Sequence, residues 1–265
     1  MKERSALNAR QFCSIAFMGS AVTAMLLQTV SVLFFYEDQT NYFQKGAVLP
    51  LVAVVFLLLS VVSGTLLAYL SHSSGDPTSK YRFAPLFPSI GFAVSGVELL
   101  LNATSTTETV CAIFLISSSI YSVLAFLNLK NLTNLTIWLC FLPIFSFALL
   151  TARHYFDFTV EMNAPLKLML QCGLLCSMLF YTGELRIHLN NLAPRMYRML
   201  CVWTVASASF ASIPTIMAYF TGKTDRVDFL FMGILLLGVG STALLRLISI
   251  QSPVISNSDD TDSTI

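Results

Sequence analysis

Long runs of apolar residues, separated by short polar segments, follow one another along almost the whole chain. The runs are apolar all round and do not alternate as a half-buried strand would. A helix needs about 20 apolar residues to cross the hydrocarbon core, and only helices or closed barrels satisfy their backbone there. The pattern therefore predicts an all-α, polytopic membrane helix bundle of eight helices. Their expected bounds are about 12–36, 48–70, 86–102, 110–127, 135–152, 165–183, 197–220 and 229–250.

The third of these runs is the least regular, because Glu98 interrupts it and Pro88 lies near its start. Proline in the first turn of a helix costs nothing extra, since the N–H that it lacks has no partner there anyway. Pro50, Pro88 and Pro165 are therefore typical of helix starts. We expect the third run to span the membrane despite its glutamate.

The two ends of the chain are polar and short. Residues 1–11 carry positive charge, and the apolar run behind them is too long for the core of a cleaved signal peptide. We therefore expect a retained anchor preceded by a cytoplasmic segment. Residues 251–265 are polar and acidic, which is typical of a disordered tail.

Positive charges give the expected orientation, because lysine and arginine accumulate on the cytoplasmic side of short loops. With the N-terminus inside, ten of the fifteen fall on the cytoplasmic side and five outside. Omitting the third run would move Lys130 and the basic segment 184–198 outside, so the alternation favours eight spans over seven. We expect both termini in the cytoplasm and the bacterial cytoplasmic membrane as the location. The cytoplasmic set is Lys2, Arg4, Arg10, Lys80, Arg82, Lys130, Arg186, Arg195, Arg198 and Arg246.

Composition agrees with a chain surrounded by lipid. Apolar residues make up 55% of it and charged residues 11%, against about 25% charged residues in a soluble domain. The loops are too short to hold a folded domain outside the membrane. A net charge of +1 gives no reason to expect a nucleic-acid partner.

No motif indicates an enzyme, a metal site or another cofactor. The six cysteines lie in or beside apolar runs, without the spacing of a disulfide framework or a metal site. Gly238 and Gly240 fall near the spacing of a dinucleotide-binding loop, but no strand precedes them and they lie inside a predicted span. They are more typical of close helix packing. Small residues four apart also occur at Ser60/Gly64/Ala68, Gly91/Ser95 and Gly173/Ser177.

Polar residues within the spans carry the functional hypothesis. An ionisable group at depth costs about 2.5–3.5 kcal/mol on insertion scales, and Glu98 is the clearest case. Gln28 and Gln171 fall at similar depth, about two turns from the expected outer surface. Asn102, His154 and Thr215 share the same outer half. Either each group is satisfied separately by its neighbours, or they line an outward-facing polar cavity.

Two functions follow from these alternatives. The first is transport or binding of a small solute or ion in an outer cavity centred on Glu98, with Gln28, Gln171, Asn102 and Thr215 as ligand-binding residues. The second is a non-catalytic structural or regulatory subunit, whose helix faces contact a second copy or another membrane protein. An enzyme is the least favoured class, since no catalytic motif is present.

Two further segments allow alternatives. Glu184 either pairs with a basic residue on another helix or, like Arg186, reaches water at the membrane interface. The aromatic residues of segment 153–163 suit an interfacial belt, whereas its charged residues would also suit a lid over a ligand.

Overall fold

The computed structural model describes residues 2–37, 39–71, 81, 83–127, 133–189 and 193–251. These residues form eight helices and one short hairpin, which confirms the predicted all-α helical bundle. The elements are α1 (Lys2–Phe35), β1 (Tyr36–Glu37), β2 (Tyr42–Phe43), α2 (Leu49–Leu70), α3 (Leu86–Leu101), α4 (Thr106–Leu127), α5 (Thr133–Phe156), α6 (Pro165–His188), α7 (Pro194–Phe220) and α8 (Val227–Gln251). The predicted acidic tail lies outside the described residues except for Gln251, and so do Lys80, Arg82 and Lys130.

Prolines and polar residues explain where several helices begin and end. Pro50, Pro165 and Pro194 stand in the first turn of α2, α6 and α7, where no helical hydrogen bond is lost. α5 continues to Phe156 and includes Arg153 and its neighbour in its last turn. Hydropathy marks the part of a helix in hydrocarbon, whereas the helix itself continues into the interface.

Seven of the helices formed by the described residues are long and apolar enough to cross a membrane. α3 has 16 residues, or about 24 Å at about 1.5 Å per residue, and is shorter than the hydrocarbon core of about 30 Å. Large apolar side chains cover the outward faces; on α2, Leu51, Val55 and Val62 are each more than half exposed. Lipid solvates such a surface and water does not. The chain is a multi-pass integral membrane protein.

The connections between helices collect at two ends of the bundle. Lys223 donates to the carbonyl of Tyr36 at 3.4 Å, which joins the α7–α8 connection to the end of α1. Arg226 is ion-paired with Asp157, which joins it to the α5–α6 connection. We call this the α5–α6 end, and it also holds the α3–α4 connection. The opposite end, where α1 begins, is the N-terminal end.

α7 and α8 occupy the middle of the bundle. α7 packs against α1, α2, α6 and α8, and α8 packs in addition against α3 and α6. α3, α4, α5 and α6 pack against one another in chain order. The α7–α8 pair therefore separates α1 and α2 from α3 and α4.

α3 runs antiparallel along α8 in one continuous register. The hydroxyl of Thr242 donates to the carbonyl of Ala84 at 2.8 Å, and the hydroxyl of Ser95 donates to the carbonyl of Phe231 at 3.1 Å. A side-chain carbon on Gly91 would lie 2.5 Å from the α-carbon of Leu235. A carbon added to Gly238 would lie 2.6 Å from the carbonyl oxygen of Phe87. Both glycines are needed because the two backbones approach this closely.

The other small residues also lie where helices touch. Ser60, Gly64 and Ala68 are buried along one face of α2. A side-chain carbon on Gly64 would lie 2.3 Å from Cγ1 of Val202 on α7. These contacts confirm that the small-residue pattern marks packing within one chain.

Candidate functional site

Five charged residues form a network at the α5–α6 end, which we call the Asp157 cluster. It consists of Glu108 on α4, Arg153 on α5, Asp157 in the α5–α6 connection, and Arg226 and Asp228 at the start of α8. Arg153 contacts Glu108 at 3.3 Å and Asp228 at 3.8 Å. Arg226 contacts Asp228 at 2.9 Å and is also paired with Asp157. Three helices and a loop are thereby joined through charges alone.

The position of each charge in its helix favours this arrangement. Glu108 and Asp228 lie in the first turns of α4 and α8, and Arg153 lies in the last turn of α5. Acidic groups near a helix N-terminus and basic groups near a C-terminus are stabilised by the helix dipole. Glu108 also accepts hydrogen bonds from the backbone N–H and the hydroxyl of Thr104, at 2.8 and 3.0 Å. Each of these charges is therefore favoured at its helix end by the local sequence, independently of the tertiary contacts that pair it with another charge.

Asp157 is held in its ionised form. Burial alone would raise the pKa of its carboxyl, but hydrogen bonds from Thr159 and Arg226 outweigh burial and lower the pKa to about 2. The hydrogen bonds of Arg226 with Asp228 and with Asp157, that with Asp228 first, raise the pKa of Arg226. Asp157 and Arg226 thus remain charged at every physiological pH.

Two nitrogen-bearing side chains are buried beside this cluster. Lys167 on α6 is fully buried, and its ammonium donates to the carbonyls of Asp157 and Val160, at 3.0 Å for Val160. His154 on α5 is 2% exposed, and neither ring nitrogen has a hydrogen-bond partner among the described residues. Its ring lies edge-on against Phe229, with centroids 5.2 Å apart. A buried polar group without a partner is unusual and marks this place as one where a ligand would find a donor or an acceptor.

Glu98 lies at the edge of the Asp157 cluster. Its carboxylate is half-buried and accepts a hydrogen bond from the amide of Asn102 at 3.1 Å. Asp228, Arg153 and Glu108 are near enough to interact with it electrostatically. Within the part of the chain that the structure describes, Glu98 forms no salt bridge. It is therefore a carboxylate next to an ion-pair network but outside it.

The other predicted ligand-binding residues lie elsewhere. Gln28 on α1 is 2% exposed; its amide nitrogen contacts the sulfur of Met169 at 3.0 Å, and its oxygen has no partner among the described residues. Gln171 is half-buried on α6, and the buried hydroxyl of Thr215 donates to the carbonyl of Ala211. The structure thus brings Glu98 and Asn102 together but places Gln28 across the α7–α8 pair. The depth of a residue can be counted along its helix from the sequence. The side of the bundle on which its side chain lies depends on how the helices pack.

Segment 153–163 turns its aromatic and its charged side chains in different directions. Phe156 and Phe158 are 64% and 75% exposed, as expected for an aromatic belt at the interface. Asp157 and Thr159 turn the other way and join Arg226. The segment therefore supplies charge to the Asp157 cluster and exposes aromatic side chains on its other side.

A second buried ionic group, the Glu184 cluster, lies at the N-terminal end. Arg246 on α8 donates to both carboxylate oxygens of Glu184 on α6, each at 3.2 Å. The hydroxyl of Tyr197 on α7 donates to the same carboxylate. Glu184, Arg246 and Tyr197 are 6%, 8% and 2% exposed, so the group is withdrawn from both water and lipid. Glu184 pairs across helices and does not reach water.

The pairing of Glu184 with Arg246 could have been suspected from the sequence, because the two residues stand at similar distances from the ends of their helices. Glu184 stands four residues before the end of α6, and Arg246 stands five residues before the end of α8. α6 and α8 run in the same direction, so these two opposite charges lie at matching depth, and at depth they are more stable paired than apart. Only the structure identifies which faces of α6 and α8 meet.

The described residues include no group of three or more His, Cys, Asp or Glu placed to hold a metal ion. All six cysteines are free thiols. Comparison with known protein families, with characterised proteins and with solved structures finds no match to this chain. Any functional argument therefore has to come from the two clusters and their surroundings.

Proposed function

We propose that this integral membrane protein crosses the bilayer eight times, with both termini in the cytoplasm, and binds a small cation or protonated amine at the Glu98 edge of the Asp157 cluster. Transport of that solute is the activity that such a site would serve. The observation that carries the proposal is the half-buried carboxylate of Glu98, beside an ion-pair network and without a salt bridge of its own among the described residues.

The packing of α3 supports eight crossings. Although α3 is short, it lies antiparallel to α8 from Ala84, opposite Thr242, to Ser95, opposite Phe231. Since α8 is long enough to span the membrane, a helix that follows it through this register passes from one side to the other. With eight crossings, the basic N-terminal segment and the basic α6–α7 connection fall on the same side, as the charge rule requires.

The balance of charge around Glu98 favours a cation. Arg153 is paired with the carboxylates of Glu108 and Asp228, and Arg226 is shared between Asp228 and Asp157. The carboxylate of Glu98 lies within electrostatic reach of Arg153 but is not paired with it. Lys167 is directed to backbone carbonyls. This leaves a local surplus of negative charge in a partly desolvated place, where a small cation is bound more strongly than in water.

The substitution Glu98→Gln tests the proposal because it removes the charge and keeps the shape. The purified protein in liposomes would be exposed to sodium, potassium or ethylammonium chloride, with N-methylglucamine chloride as the inert reference. We expect wild-type protein to gain thermal stability with, or take up, at least one of the three probes, and Glu98→Gln to lose that response. Glu161→Gln is the matched control, since Glu161 is an exposed carboxylate at the same end.

An equal response of the wild-type protein and Glu98→Gln to every probe would contradict the proposal. That result would favour the second function, a non-catalytic subunit that acts through helix contacts. The observation in favour of that function is that the charged groups of the Glu184 cluster are paired within the chain. A stoichiometric second membrane protein, or a second copy, that co-purifies with the Glu98→Gln variant would support it.

A further inference from the structure

We propose that His154 on α5 is a proton-binding site, and that binding of a proton there releases the α5–α6 connection from the start of α8. The connection comprises residues 157–164. It is held to α8 by Arg226, which pairs with Asp157 and also contacts Asp228 at 2.9 Å. We call this held arrangement closed. Release of the connection does not require the cation proposed to bind at the same end.

His154 is buried without a hydrogen-bond partner. Its side chain is 2% exposed, and neither Nδ1 nor Nε2 has a partner among the described residues. A protonated imidazole donates from both nitrogens, and a buried charge without such partners is costly. In the closed arrangement, the described residues therefore satisfy neither N–H of a protonated ring.

Phe229 places the imidazole next to the guanidinium that holds the connection. The ring of His154 meets the ring of Phe229 edge-on, with 5.2 Å between the centroids. The guanidinium carbon of Arg226 lies over the same phenyl ring, 5.1 Å from its centroid. Arg226 also donates to both carboxylate oxygens of Asp228, at 3.0 and 2.9 Å. His154 and the ion pairs of Arg226 are therefore parts of one packed group.

A positive charge on His154 would act directly on that group. Lys167 and Arg226 would repel a protonated ring, whereas Asp157 and Asp228 would attract it. Both carboxylates are already engaged by Arg226, so the ring gains an acceptor only by competing with that guanidinium or by reaching water. Competition frees Asp157 from Arg226, and water reaches the ring only when the connection moves away. The charged groups on the elements around His154 are Lys167 on α6, Asp157 in the connection, Arg226 and Asp228 on α8, Arg153 on α5 and Glu108 on α4.

Acid should therefore favour an open arrangement, in which the connection has left α8 and the imidazole is in water. A histidine in water has a pKa of about 6.5. Below that pH, the ratio of open to closed protein rises by up to about tenfold for each pH unit, because the open form binds the proton and the closed form does not. Between pH 8 and pH 5 the ratio should rise about thirtyfold.

Hydrogen–deuterium exchange of the full chain in nanodiscs measures this opening locally. Peptides that cover residues 157–164 report on the connection, where the backbone N–H of Thr159 donates to the carboxylate of Asp157 at 3.0 Å. Peptides from residues 204–212, in the buried middle of α7, report on the bundle. Labelling times are scaled for the effect of pH on intrinsic exchange, and N-methylglucamine chloride is the salt, so that no candidate cation is present.

The variants are His154→Gln and His154→Phe, neither of which can bind a proton at this position. His188→Gln is the matched control, because it removes a histidine from the end of α6 at the opposite end of the bundle. Between pH 8 and pH 5, we expect the protection of residues 157–164 to fall about thirtyfold in the wild-type protein and in the control. In both His154 variants it should stay at its pH 8 level, and the protection of residues 204–212 should not change in any of the proteins.

The proposal is overturned if the wild-type connection keeps its protection at pH 5, or if a folded His154 variant loses protection as the wild-type protein does. Loss of protection in α7 together with the connection would also overturn it, because acid would then unfold the bundle as a whole. The wild-type protein by itself can give the first and the last of these results, so the proposal can fail even where a variant does not fold.

Discussion

At the scale of single residues, the most consequential feature is the burial of charge. Glu184 and Arg246 are withdrawn from solvent and satisfied by each other and by Tyr197. A buried pair adds little net stability relative to apolar residues, but removal of one member leaves an uncompensated charge. The pair is therefore a strict constraint on which residues can stand at these two positions.

We expect Arg246→Met alone to destabilise the protein by about 3–5 kcal/mol, because the carboxyl group of Glu184 would remain buried without its guanidinium partner. The double variant Glu184→Leu/Arg246→Met should recover most of that loss, since neither charge is then buried. Reversible unfolding in mixed micelles would measure these two variants and the single variant Glu184→Leu. Additive losses in the two single variants and the double variant would exclude the pairing.

Asp157 predicts a specific dependence of stability on pH. Its folded-state pKa of about 2 lies below the usual value of 3.8, so ionised Asp157 stabilises the folded state above about pH 4. That contribution is lost as pH falls through about 2. We expect the thermal midpoint of the wild-type protein to fall across this window more than that of Asp157→Asn. Parallel curves for the two proteins would show that the Arg226 pairing does not contribute to stability.

At the scale of the helices, the contact between α3 and α8 is decided by glycine. A helix needs a large apolar face to be held in water, whereas in lipid helices associate through close backbone approach and hydrogen bonds. Gly91 and Gly238 provide the approach, and Ser95 and Thr242 donate across it. This explains why a helix as short as α3 is held firmly against its neighbour.

Gly91→Ala should destabilise the protein by about 1–3 kcal/mol, because the new methyl group would meet the backbone of Leu235, which cannot move aside as a flexible side chain can. Gly19→Ala is the matched control on α1. Outside the local backbone of α1, no atom of the described residues lies within 4 Å of the place where its methyl group would stand, and alanine is the better helix former. Thermal unfolding of both variants in the same detergent would measure the difference. An equal effect of the two substitutions would contradict the close contact.

At the scale of the whole molecule, each end of the bundle is held by its own ionic cluster. α8 takes part in both, through Arg226 and Asp228 at the α5–α6 end and through Arg246 at the N-terminal end. It also lies between α3 and α7. α8 therefore contributes charged side chains to both ends of the bundle.

The eight-span topology predicts which connections meet which side of the membrane. In a variant without native cysteines, cysteine at Lys45 should react with an impermeant maleimide added outside cells, and cysteine at Leu189 should react only after the membrane is opened. Both residues are exposed and lie in connections rather than in spans. Labelling of both positions from outside would contradict an even number of crossings.

The sequence by itself determined the class of the molecule and predicted a common depth for several of its polar groups. Runs of about 20 apolar residues leave the helix as the natural way to satisfy the backbone in lipid, so the bundle was predictable. Counting along each run also placed Glu98 and Gln28 near one level. Both inferences need only the rise per residue and the chemistry of the bilayer.

Only the tertiary structure decided which of these residues share a site. It placed Glu98 beside Arg153 and Asp228, put Gln28 across the α7–α8 pair against Met169, and paired Glu184 with Arg246. A helix that is apolar all round carries no pattern to say which face meets which neighbour. That choice depends on a few close contacts, such as those at Gly91 and Gly238, which become specific only when the helices are packed.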